Sequence, residues 1–146
     1  MFNELHPAFW SALFGWLLAQ LIKMITCLIK SGRLDFSYLV STGGMPSAHT
    51  SMSCALATSI GLLNGFSSVE FTIAIVFASV VMFDAQSVRK AAGEQAKLLN
   101  QIIDELLNEH NFSEKKLKEL LGHTRLEVLG GVISGIIAAN SILFLY

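Results

Sequence analysis

"STGGMPSAHTSMSCALATSIGLLNGF", residues 41–66, joins a turn of glycine and proline to a run, 47–66, that holds no Asp, Glu, Lys or Arg. A helix needs roughly 20 consecutive apolar residues to cross a bilayer, so this run predicts a transmembrane helix entered through a polar turn. Three further stretches have the same character: 8–29, 68–88 and 126–146. The third of the four in chain order has an uncharged core only from Phe71 to Phe83, with polar ends suited to the interface. The whole chain agrees, with 53% hydrophobic and 14% charged residues in 146 and a mean hydropathy of +0.57. Such a composition excludes an ordinary soluble domain. The expectation is an all-α integral membrane helical bundle, one domain over 1–146, with about four transmembrane helices.

Other classes lose support on charge and cysteine usage. A net charge of −1 and a pI near 6.4 supply no basic field for a nucleic acid partner. Cys27 and Cys54 stand in apolar runs without metal-ligand spacing, which reads as packing and leaves the redox compartment open. The start, "MFNELHPAFW", lacks the basic region of a signal peptide, so the first apolar segment is expected to remain in the mature protein.

Between the last two apolar stretches, Leu98, Leu99, Ile102, Ile103, Leu106 and Leu107 recur at helical spacing among charges. A second short helix is expected after Ser113, with Glu114 in its first turn and Gly122 as its stop. Together these predict an amphipathic helical hairpin over roughly 94–122 on the membrane surface. Four spans put the 30–46 and 89–125 loops on one side. Nine of the ten Lys and Arg residues fall in those loops, and Lys23 lies near the same end of the first span. The positive-inside rule therefore assigns that face to the cytoplasm, or to the stroma in a plastid.

The turn that opens the second span lies on the same face. Gly43 and Gly44 permit close backbone approach, and Pro46 just inside a helix start leaves amide groups for an anion, to which Ser47 and His49 add donors. A plain Gly-Pro turn with a capping serine fits that stretch equally well. Arg89 can fork two donors onto a phosphate, Asp84 can orient it, and Lys90 adds a second cation, although both bases also suit interfacial anchoring. Lys23, inside a span, either binds an anion or snorkels to the surface. His123 and Glu127, four residues apart, share one helix face, where a carboxylate on one ring nitrogen frees the other to attack phosphorus. The same spacing also suits a surface pair or a metal ligand pair. Asp84 and Glu127 are too few carboxylates for a hard metal site, so no metal and no cofactor are expected.

Four segments together resemble the type 2 phosphatidic acid phosphatases, related to vanadium haloperoxidases, and within them the small divergent bacterial and plastid branch. They are "QLIK" ending at Lys23, "GGMPSAH", "DAQSVRKAAGEQ" and "GHTRLEVLGG". The resemblance covers nearly the whole chain. It implies that His123 is a nucleophile forming a phosphohistidine, that Glu127 orients it, and that His49 protonates the leaving alcohol. Lys23, Ser47, Arg89 and, with Gly44 and Lys90, the surrounding loop would hold phosphate. The chain departs from the main family in lacking an Arg-Pro pair after the lysine, in Ala48 where glycine is usual, and in Glu127 where aspartate is usual. Arg33, Lys90 and Arg125 are the candidates for the missing arginine.

The function this implies is hydrolysis of a lipid phosphomonoester, phosphatidylglycerophosphate or phosphatidic acid, by a membrane phosphatase. Two alternatives use the same residues: a polyprenyl diphosphate phosphatase, and a noncatalytic lipid-binding scaffold. Gly131 and Gly135, at small-xxx-small spacing, predict either tight packing of the last span or a homo-oligomer.

Overall fold

The computed structural model describes residues 5–31, 44–107 and 123–146, without the side chains of 30–31, 88–90 and 104–107. Arg33 and the expected short helix after Ser113 lie outside the described residues. Five α-helices follow in order: α1 (Pro7–Ser31), α2 (Ala48–Asn64), α3 (Val69–Gln86), α4 (Val88–Leu107) and α5 (Arg125–Leu145). No strand occurs among the described residues.

Helix α2 is the hub, packed against α1, α3 and α5. Its serines set the register. Ser59 Oγ donates to Ser11 Oγ at 2.6 Å and Ser51 Oγ to the Gly15 carbonyl at 2.8 Å, so α1 runs antiparallel to α2. Ser134 Oγ donates to Ser51 Oγ at 2.9 Å. Gly131 lies against Ser47 and Thr50, and Gly135 against Ser51 and Cys54, so α5 runs parallel to α2. A Cβ on Gly135 would stand 2.5 Å from the Ser51 carbonyl oxygen, and one on Gly131 2.7 Å from that of Ser47. Only glycine admits this approach, which is how helices associate where lipid removes the hydrophobic drive between them.

Three helical runs are long and apolar enough to cross a membrane: Pro7–Ile29, Val69–Ile103 and Arg125–Leu145. The expected second span corresponds to α2, whose 17 residues reach about 25 Å at ~1.5 Å per residue. It is shorter and richer in hydroxyls than the other three, and they cover it. By contrast α3 buries only Ala74, Ala78 and Ala85 and turns Ile73, Val76, Phe77 and Val80 outward.

The α2–α3 connection is tight because Gly65 takes φ 89° and Ser68 Oγ accepts from the Phe71 amide at 3.1 Å. At the other end of α3, Ser87 alone separates it from α4. The Ser87 amide donates to Phe83 and that of Ala91 to Ser87, at 2.9 and 3.0 Å, so helical bonding runs through the turn. Among the described residues α4 packs only on α3, with Gly93 and Asn100 buried and Leu98, Leu99 and Ile102 exposed.

Candidate active site

His123 stands in the short run before α5 and is fixed from both sides of its backbone. Its amide donates to the Ala85 carbonyl at the end of α3, at 3.0 Å. The next residue, Thr124, caps α5: its Oγ1 accepts from the Glu127 amide at 3.3 Å, while Glu127 Oε2 accepts from the Thr124 amide at 3.1 Å. This is a capping box. The same Oε2 lies 2.8 Å from His123 Nδ1. One carboxylate oxygen thus closes the helix start and holds the imidazole.

The consequence for the ring is chemical. An ionised carboxylate only accepts, so Nδ1 carries the proton in this pair and Nε2 of the neutral ring keeps its lone pair. The His123 side chain is only 2% exposed, and Nε2 is buried without a hydrogen-bond partner. An orphaned buried polar atom costs about 1–3 kcal/mol. A substrate atom at Nε2 would remove that cost.

A fifth hydrogen bond brings in the Pro-Ser-x-His segment, since the Ser47 amide donates to the Glu127 carbonyl at 2.9 Å. Pro46 stands before the helix, in a cis peptide with Met45, and not just inside its start, because Ser47 is the N-cap. Of the two readings of this serine, capping is the one observed. Ser47 Oγ accepts from Thr50 Oγ1 at 3.1 Å and from the Thr50 amide at 3.5 Å, which leaves its own proton to donate. Gly44 takes φ 87° with open space where a Cβ would stand, so its backbone conformation calls for glycine.

Lys23 belongs to the same end of the bundle. The pairing of Gly15 with Ser51 in antiparallel helices sets Ala19 near the level of Ser47 and Lys23 one turn beyond it. The lysine is 2% exposed, so it lies inside the bundle instead of snorkelling to its surface. Gln20, one turn earlier on the same face of α1, is buried as well. Asp84 is exposed on the last turn of α3, adjacent to the Ala85 carbonyl that holds His123. His49 is exposed on the first turn of α2. Arg89 and Lys90 occupy the first turn of α4, and their side chains lie outside the description. Arg125 is exposed at the first position of α5. Hydrogen bonds therefore unite Ser47, His123 and Glu127, and helix register adds Lys23. Two participants escape the sequence reading, Thr124 and the Ala85 carbonyl; the Thr-x-x-Glu pattern before an apolar run carries the signal for the first.

Among the described residues no three His, Cys, Asp or Glu side chains gather where a metal ion could sit. The model of the Divergent PAP2 family matches residues 5–138, which include every segment of this site. The chain belongs to that family. Its relatives include the "Uncharacterized membrane protein YuiD" of Bacillus subtilis (strain 168), 41% identical over 138 residues that cover 87% of each chain. No solved structure matches. Family membership and three apolar helices of spanning length make this member of the Divergent PAP2 family an integral membrane protein.

Proposed function

We propose that this protein is a lipid phosphate phosphatase that hydrolyses a phosphomonoester through a phosphohistidine at His123. The observation that carries the reading is the buried, unpartnered Nε2 of a histidine whose Nδ1 is held at 2.8 Å by Glu127. In the first step the Nε2 lone pair forms a bond to phosphorus while the ester P–O bond breaks. The leaving alkoxide takes a proton from protonated His49. In the second step water gives a proton to His49 and attacks phosphorus, the N–P bond breaks, and phosphate departs. Glu127 stabilises the ring cation that exists while Nε2 is phosphorylated. Lys23, Ser47 and Arg89, with Lys90 and Gly44 beside them, neutralise and orient the three phosphoryl oxygens, and Asp84 orients the basic residues.

The substrate class follows from the membrane setting and the charge distribution. On the four-span reading every Lys and Arg falls in, or near, the loops on the side that carries Ser47 and His123, which supports a site facing the cytoplasm or the stroma. Phosphatidylglycerophosphate or phosphatidic acid of that leaflet presents a terminal phosphomonoester there.

Phosphate release by the purified protein from vesicles containing each lipid tests the proposal. Wild type is expected to release phosphate, and His123→Ala to release none. Glu127→Gln is expected to remain folded and lose on the order of 100-fold in rate. A single turnover with phosphorus-labelled lipid should leave acid-labile label on wild type alone. Full activity in His123→Ala would overturn the mechanism.

A further inference from the structure

A cavity of about 470 Å³ opens at the other end of the bundle, away from His123. Helices α1 and α3 both pack on α2 but, among the described residues, not on each other. The gap between them is a groove with α2 as its floor. Met52, Leu56, Ile60 and Asn64 line that floor at intervals of four residues, one stripe of the helix. From Met52 to Asn64 the stripe runs about 18 Å. Phe9 of α1 forms a wall, and everything between the ends of the groove is apolar. A hydrocarbon core is about 30 Å thick, so the groove takes one acyl chain of one leaflet.

Three residues with polar side chains stand at the outer mouth. His6 precedes α1, Asn64 ends α2 and Glu70 lies in the first turn of α3, and all three line the cavity. His6 Nδ1 accepts from the Ala8 amide at 3.3 Å, which assigns the ring proton of the neutral form to Nε2 and makes that nitrogen a donor. Glu70 is the one carboxylate among the residues that line the cavity. None of the residues that line the cavity is Lys or Arg. An anionic headgroup would find no cation among them. A headgroup carrying an ammonium finds the Glu70 carboxylate, with His6 Nε2–H and the Asn64 amide to donate to its phosphate.

We propose that this groove seats a zwitterionic aminophospholipid of the leaflet opposite the candidate active site. One acyl chain lies along Met52, Leu56 and Ile60, and the ammonium pairs with Glu70. This lipid is distinct from the phosphate ester at His123, and its binding does not depend on the chemistry there.

The test is native mass spectrometry of the full-length protein in detergent, offered equal amounts of dioleoyl phosphatidylethanolamine and dioleoyl phosphatidylglycerol. Wild type is expected to retain the ethanolamine lipid about fivefold over the glycerol lipid, equivalent to about 1 kcal/mol. Glu70→Gln, an exposed and isosteric change, should bring that ratio to about one. Ile60→Trp, which fills the groove, should reduce retention of both lipids, and His123→Ala should leave the ratio unchanged. Equal retention by wild type, or a preference that survives Glu70→Gln, overturns the proposal. So does a preference lost in His123→Ala, which places the lipid at the other end, or a lipid-free dimer, which places a second copy in the groove.

Discussion

Helices α2 and α3 are nearly equal in length, 17 and 18 residues, joined by a short turn, and opposite in construction. Nine residues of α2 are buried, among them Thr50, Ser51, Ser53 and Ser59, whereas α3 buries only three alanines. In water the more polar helix would be the outer one. In a bilayer the ranking reverses, because lipid tails cover Val, Ile and Phe at no cost while a hydroxyl needs a partner that only protein supplies. The difference also locates the site. His123 and Glu127 are bonded to the end of α3 and the start of α2, so the helix lined with buried hydroxyls delivers Ser47 to the His123–Glu127 pair.

The contrast can be broken by substitution. Gly135→Val should have the largest effect, since its Cβ would meet backbone of α2 at 2.5 Å with no flexible side chain to yield. We expect a loss of about 3 kcal/mol in stability, read as thermal unfolding in detergent, together with loss of the proposed phosphate release as α5 separates from Ser47. An unchanged melting temperature would mean that the α2–α5 seam is loose. Ser51→Ala removes a donor to Gly15 and an acceptor for Ser134 and should cost about 1 kcal/mol by the same measurement. Val76→Leu, on the outward face of α3, should change stability by less than about 0.5 kcal/mol. If it costs as much as Ser51→Ala, protein and not lipid covers that face, and the comparison fails.

The site was legible in unequal parts. The His123–Glu127 pair follows from a spacing of four residues on a helix, and the structure places Nδ1 and Oε2 at 2.8 Å. Thr124 escaped that reading, although Thr-x-x-Glu before an apolar run is the pattern of a capping box. Lys23 was not legible, because a lysine near the end of an apolar helix reads alike whether it snorkels or turns inward, and only its neighbours choose. Ser47 offered capping and phosphate binding as rivals. Its Oγ caps α2 and retains a proton, while its amide, which no pattern singles out, ties it to Glu127.

The sequence by itself determined the membrane class, the helical content and the pairs within one helix turn, because composition and contacts four residues apart set these. Tertiary structure alone decided what converges. The spacing of Gly131 and Gly135 fits a second copy as well as an intramolecular neighbour, and packing turns both toward Ser47 and Ser51 of α2. The bonds from His123 to Ala85 and from Ser47 to Glu127 join segments distant in the chain. They require α5 to lie parallel to α2, at a separation that two glycines make short enough.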